Sequence, residues 1–149
     1  KYVILVFIFL YLIMLMVYAS GSKRAFSEVE KAVSSVLNSD ELTKMDERML
    51  KKNFGLNSAD YQGVMYYASP SSVAAAEVLL IQVKNESQTD AVTDAIEKRK
   101  AQRMEDFEGY LPEEVKLLED AQISVRGKYI FYAVSSDASK YRNTFDKSL

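Results

Sequence analysis

The chain has 149 residues, with 19 Lys and Arg against 21 Asp and Glu and a pI near 5.3. That length fits one folded domain, and the acidic balance argues against nucleic acid as a partner. Cys and His are both absent, which excludes a disulfide framework, thiol chemistry and a lipid-modified cysteine. It also removes the usual general base, the commonest metal ligand and the ordinary pH switch.

Residues 2–19, YVILVFIFLYLIMLMVYA, carry no charge. As a helix they would extend about 27 Å, close to the roughly 30 Å hydrocarbon core of a bilayer. Tyr2 and Tyr18 lie near the two ends, where amphipathic rings suit an interface. Two readings stand: a transmembrane anchor, or a signal segment cleaved after the small-residue pattern Val17-Tyr18-Ala19. Either assigns residues 1–22 to an apolar segment and short joint, and residues 23–149 to an extracytoplasmic domain. The positive-inside rule does not set the orientation, because Lys1 precedes the segment and Lys23 and Arg24 follow it.

Ser20-Gly21-Ser22 reads as a flexible joint. Ser27-Glu28-Val29-Glu30 matches a capping box and opens a helix to about Leu37, with Phe26, Val29, Val33, Val36 and Leu37 on one side. Thr43-Lys44-Met45-Asp46 reads as a second capping box, for a short helix that Gly55 ends in a left-handed cap. Residues 61–68 and 73–84 read as strands joined at Ser69-Pro70-Ser71-Ser72; the second is apolar on both faces and therefore central. A helix over about 88–108 follows, capped within Ser87–Asp90, and Pro112 suits the first turn of another. Residues 122–125 and 128–135 form a second hairpin about Arg126-Gly127, and Asp137 can cap a last helix.

The expected fold is α+β: after an N-terminal apolar helix, a four-stranded, mainly antiparallel sheet of two hairpins packed with about five helices. Each hairpin precedes a helix, and LLIQVKNESQTDAVTDAIEK and YIFYAVSSDASKYRNTFDKS share that strand-to-helix pattern. A diverged duplication would explain it.

The charged stretch EKRKAQRMEDFEGYLPEE, residues 97–114, is mostly a solvated helix face. At 100° per residue, however, Val92, Ile96, Phe107 and Tyr110 fall within about 60° of one another, and Arg99 and Arg103 fall in the same arc. Period two along the central strand aligns Val73, Ala75, Glu77, Leu79, Ile81 and Val83, with Glu77 the one charge in that row. An unpaired buried charge is costly, and the planar fork of Arg suits a two-point grip on carboxylate. Glu77 is therefore expected to meet Arg99 or Arg103 between sheet and helix. The alternatives are snorkelling arginines with their heads in water, or a ligand carboxylate or phosphate received by them.

The run IEKRKAQRMEDFEGYLPEEVKLLEDAQISVRGKYIFYAVSSDA, with AAEVLLIQVK upstream, resembles domain-of-unknown-function family 4358, small membrane-anchored or secreted proteins of Firmicutes. The shared pattern is Glu77 in the strand, Arg99 and Gln102 on the helix, Phe107 and Tyr110-x-Pro112 at its end, and Gly127-x-Tyr129 in the hairpin; it covers roughly residues 27–146. Many members carry a lipobox cysteine after the apolar segment, and this chain has none. The resemblance implies a Gram-positive envelope location and the same domain, with no activity attached.

Other chemistry is thin. Ser20-Gly21-Ser22-Lys23 matches S-x-x-K but lacks S-D-N and K-T-G partners. No calcium loop or phosphate-cradling glycine loop is present, and no cofactor or metal is expected. Tyr66, Tyr67, Tyr129 and Tyr132 lie on strands, where alternate residues face opposite sides. They either present a tyrosine-bearing surface or belong to a two-sided core whose second face the early helices cover. The function read from these features is a non-catalytic binding module. Its partner would be an envelope protein or cell-wall polymer, with Glu77, Arg99, Arg103, Tyr110 and Tyr129 as candidate binding residues. A small envelope hydrolase using acidic residues is the alternative, and a structural spacer the third.

Overall fold

The computed structural model describes residues 1–19 and 24–149, the side chains of 17–19 excepted. The expected joint at 20–22 and the S-x-x-K match lie outside the described residues. Helix α1 covers Val3–Ala19, and every side chain from Lys1 to Met16 is exposed. Its 17 residues amount to about 25 Å. No helix among the described residues is long and apolar enough to cross a membrane. The expectation of a membrane-spanning helix over 2–19 is corrected accordingly.

Residues 24–149 are built on one antiparallel sheet of five strands, ordered β1-β2-β3-β5-β4. These are β1 Thr43–Lys44, β2 Gly63–Ala68, β3 Glu77–Gln82, β4 Gln122–Arg126 and β5 Tyr129–Val134. Five helices accompany them: α2 Phe26–Ser34, α3 Glu47–Phe54, α4 Thr89–Phe107, α5 Pro112–Glu119 and α6 Ala138–Ser148. The α+β class and both hairpins agree with the sequence. The strand count does not: Thr43 and Lys44 pair with Ala68 and Tyr67 as a short edge strand rather than opening a helix. The cap of α3 is Asp46, whose Oδ1 accepts from the Met49 N–H at 3.0 Å, so the helix starts at Glu47 and leaves Thr43 free to pair. Gly55 ends α3 in the left-handed conformation, as expected.

Strand β3 is buried on both faces because β2 and β5 flank it and helices cover both sides. Period two splits the core. Tyr66, Leu79, Ile81, Ile130, Tyr132 and Val134 pack against Leu50 and Phe54 of α3, Val92, Ile96 and Phe107 of α4, and Leu118 of α5. Met65, Val78, Leu80, Tyr129, Phe131 and Ala133 pack against Val29 and Val33 of α2 and Tyr141 and Phe145 of α6. The sheet tyrosines therefore belong to a two-sided core. Of the early helices only α2 covers the second face; α3 lies on the first.

That layering removes the duplication. Neighbouring antiparallel strands are exchanged by a two-fold axis normal to the sheet, which keeps each face on its own side. Helices α4 and α6 follow β3 and β5 but pack on opposite faces. A rotation cannot superimpose the two units.

Local caps also give way to tertiary contacts. The Ser27 capping box does not form: α2 begins at Phe26 after Ala25, with no side-chain cap. Phe26 instead stacks on Tyr129, with ring centroids 6.5 Å apart and planes 8° from parallel. The Tyr129 hydroxyl donates to the Arg24 carbonyl at 2.8 Å, fixing the entry to the helix. Asn85, not Ser87, starts the approach to α4: its Oδ1 accepts from Ser87 N–H in a 3₁₀ turn over Glu86–Gln88. Asp137 precedes α6 without capping it through its side chain.

Candidate functional site

Glu77 is the first residue of β3, and pleating turns it toward the face that α4 crosses. It is 2% exposed. Its neighbours across the strands are Ala68 and Val134, and the small Ala68 leaves room beside the carboxylate. On α4, Val92, Ile96 and Phe107 are buried at the two ends of one stripe, with Arg99 and Arg103 between them.

Arg99 closes on Glu77 from above. Nε donates to Oε1 and Oε2 at 3.2 and 3.3 Å, and Nη2 donates to Oε2 at 3.0 Å. The Phe54 ring lies 5.8 Å from the guanidinium carbon. Asn53 Nδ2 donates to the Tyr66 hydroxyl at 2.8 Å, and that hydroxyl donates to Glu77 Oε2 at 3.5 Å. Burial first, and the Glu77 charge second, push the Tyr66 and Tyr132 hydroxyls far above the ordinary tyrosine value of 10.0. Burial acts to lower the Arg99 pKa, but the hydrogen bonds and charge of Glu77 more than offset it, and the guanidinium is held above its ordinary value. This is the internal pair expected from the strand and helix patterns, with Arg99 as the partner.

Arg103 does different work. Its Nη2 donates to the Ala74 carbonyl at 3.0 Å, and its Nη1 stands 3.6 Å from Asp106. The guanidinium carbon is 4.4 Å from the Phe107 ring centroid. Its Nε is buried without a hydrogen-bond partner among the described residues. Arg103 thus fastens the connection between β2 and β3. Glu114 of α5 helps, its Oε2 accepting from the Ala75 N–H at 2.9 Å. This explains why residues 73–75, expected as strand, leave the ladder: Arg103 and Glu114 take up backbone groups of Ala74 and Ala75.

Over this pair opens a cleft of about 410 Å³. Glu77, Arg99 and Arg103 line it together with Met45, Met49, Lys52, Asn53 and the loop Ser69-Pro70-Ser71-Ser72. The other two candidate residues are elsewhere. Tyr110 was expected in the buried stripe of α4 but is 82% exposed and does not line the cleft. The helix ends at Phe107 and Gly109 turns to φ 82°, so the helical phase that aligned Tyr110 with Ile96 is lost after Phe107. Tyr129 is 0% exposed on the opposite face of the sheet, between Phe26 and Phe145. Burial, then the charge of Glu28, raise its hydroxyl pKa. It is a core residue and not a binding surface.

Lys52 and Asn53 complete the site without having been singled out in the sequence, and Tyr66 stood out there only as one of four strand tyrosines. Tyr66 shares the parity of the Glu77 face once the hairpin register, Ala68 opposite Glu77, is known. Lys52 and Asn53 carry no local signal, because they come from the polar side of a short helix. Among the described residues no group of three or more acidic, His or Cys side chains is placed to hold a metal ion.

The family described as "Domain of unknown function (DUF4358)" matches residues 34–135, which run from the last residue of α2 through the whole sheet and both arginines. No curated protein and no solved structure matches the chain. The match spans more than half of the 149 residues and includes every residue of the cleft, and the chain belongs to the DUF4358 family.

Proposed function

We propose that this protein is a membrane-associated, extracytoplasmic binding module of the Gram-positive cell envelope, which receives an envelope protein or cell-wall polymer in the cleft beside Arg99. The observation that carries the binding reading is the state of Glu77. Both of its oxygens are held by Arg99, and one also accepts from Tyr66. A carboxylate so committed is a poor general acid or nucleophile, whereas a rigid pair beneath an open cleft suits recognition. The membrane part of the reading rests on α1. Its large apolar side chains from Val3 to Met16 are 41–74% exposed, and apolar surface of that extent on one uncharged helix needs a cover. Lipid supplies it.

The test is capture from detergent-solubilised envelope with the immobilised full chain, beside the Lys52→Glu variant. The expected result is a defined protein or polymer retained by the wild type and lost with the variant. Equal retention by both, or no retention together with a blank glycan array, counts against the cleft as a binding site. Protease treatment of intact cells checks the side: the domain should be cleaved.

A further inference from the structure

We infer that the cleft over the Glu77–Arg99 pair recognises a phosphate group, as a phosphomonoester or phosphodiester of an envelope component. The inference rests on the binding reading above and names its ligand chemistry. Charge is the first argument. Three cations, Lys52, Arg99 and Arg103, line the cleft; Arg99 grips Glu77 and Asp106 stands 3.6 Å from Arg103, which leaves one positive charge in excess, with Lys52 its source. The wall therefore favours an anion.

The disposition of donors says which anion. A carboxylate is planar and is best gripped by the two parallel N–H groups of an arginine fork. The fork of Arg99 is spent on Glu77 through Nε and Nη2, so only its remaining nitrogen, Nη1, is uncommitted to that carboxylate. The remaining donors come from separate directions. Lys52 reaches from α3 as a point charge. Ser71 lies on the loop across the cleft, and its Oγ accepts from Val73 N–H at 3.3 Å, which leaves its O–H to donate. Single donors arriving from α3, α4 and a loop suit a tetrahedral oxyanion better than a planar one. The volume, about 410 Å³, admits a phosphate with the polyol or sugar unit attached to it.

The experiment titrates the full chain, isotope-labelled in nonionic micelles, with glycerol 1-phosphate and separately with acetate. Saturable shifts of the Arg99 guanidinium and the Ser71–Val73 amides are expected with the phosphate, at least about tenfold tighter than with acetate. Lys52→Glu alters an exposed side chain and should weaken phosphate about tenfold with Tm unchanged. Lys140→Glu makes the same charge change on α6, on the other face of the sheet, and should leave the affinity within about twofold. Absence of saturation, equal affinity for acetate, or equal weakening by the two variants overturns the inference. Soluble poly(glycerol phosphate) and micelles containing phosphatidylglycerol then separate polymer from headgroup: saturation by either supports the site, and saturation by neither overturns it. If phosphate fails while envelope capture still depends on Lys52, the ligand chemistry is wrong and the binding reading stands.

Discussion

At the scale of single residues, the pairing of Glu77 with Arg99 controls the centre of the molecule. Removing one partner strands the other as a charge out of water, which costs about 3–5 kcal/mol. Arg99→Ala and Glu77→Ala should each lower the unfolding free energy by about that amount, measured by urea titration. The double variant Glu77→Leu/Arg99→Leu should recover most of the loss, since apolar side chains of similar volume replace buried pairs at little cost. Additive losses in that cycle would show that the pair is not a coupled unit. The tyrosines give a second residue-level prediction. In the fold, Tyr66 and Tyr132 hold their protons well above pH 10, the value they take when unfolded. Their contribution to stability is therefore fully present below about pH 10 and is lost as pH rises, because the unfolded state then releases protons that the folded state keeps. Stability should fall above pH 10 with a slope of about 1.4 kcal/mol per pH unit for each such tyrosine. Tyr66→Phe should flatten that slope, and an unchanged alkaline limb would contradict the assignment.

At the scale of elements, α2 depends on one close approach. A Cβ placed on Gly63 would overlap the Phe26 ring, well inside van der Waals contact. Gly63 is the first residue of β2, so its missing side chain is what lets Phe26 lie across the sheet onto Tyr129. Gly63→Val should displace Phe26 and cost about 1–3 kcal/mol, as overpacking usually does. Tyr129 fluorescence and the backbone signals of residues 24–34 should report the displacement. Gly63→Val with Phe26→Ala should recover part of the loss; no recovery would place the strain elsewhere. This element was half-legible in the sequence. The apolar stripe of Val29 and Val33 identified the helix and its buried side. Its start was misjudged because a capping motif weighs local hydrogen bonds, while Phe26 and the Arg24 carbonyl are held by a strand over a hundred residues later.

At the scale of the whole molecule, the two arms of the proposed function separate. Leu10→Arg places a charge in the middle of α1. It should shift the protein from the membrane to the soluble fraction of lysed cells while leaving the thermal transition of the sheet domain within about 2 °C. Retention in the membrane fraction after alkaline washing would count against α1 as the attachment. The cleft belongs to the other arm and draws on α3, α4 and the β2–β3 loop at once.

The amino-acid sequence by itself determined four of the five strands, the approximate positions of the helices, the central position of β3 and the conflict between Glu77 and its apolar row. Periodicity and charge are local properties, and an acid in a buried row demands a partner wherever it folds. Only the tertiary structure decided that the partner is Arg99 and not Arg103, since the two guanidiniums lie one helical turn apart and only distance to the strand separates them. It also decided that Thr43 and Lys44 extend the sheet, that Tyr129 is interior, and that Tyr110 is not. Those outcomes depend on which face of the sheet each helix covers and where the phase of α4 is broken, and neither is a property of neighbouring residues.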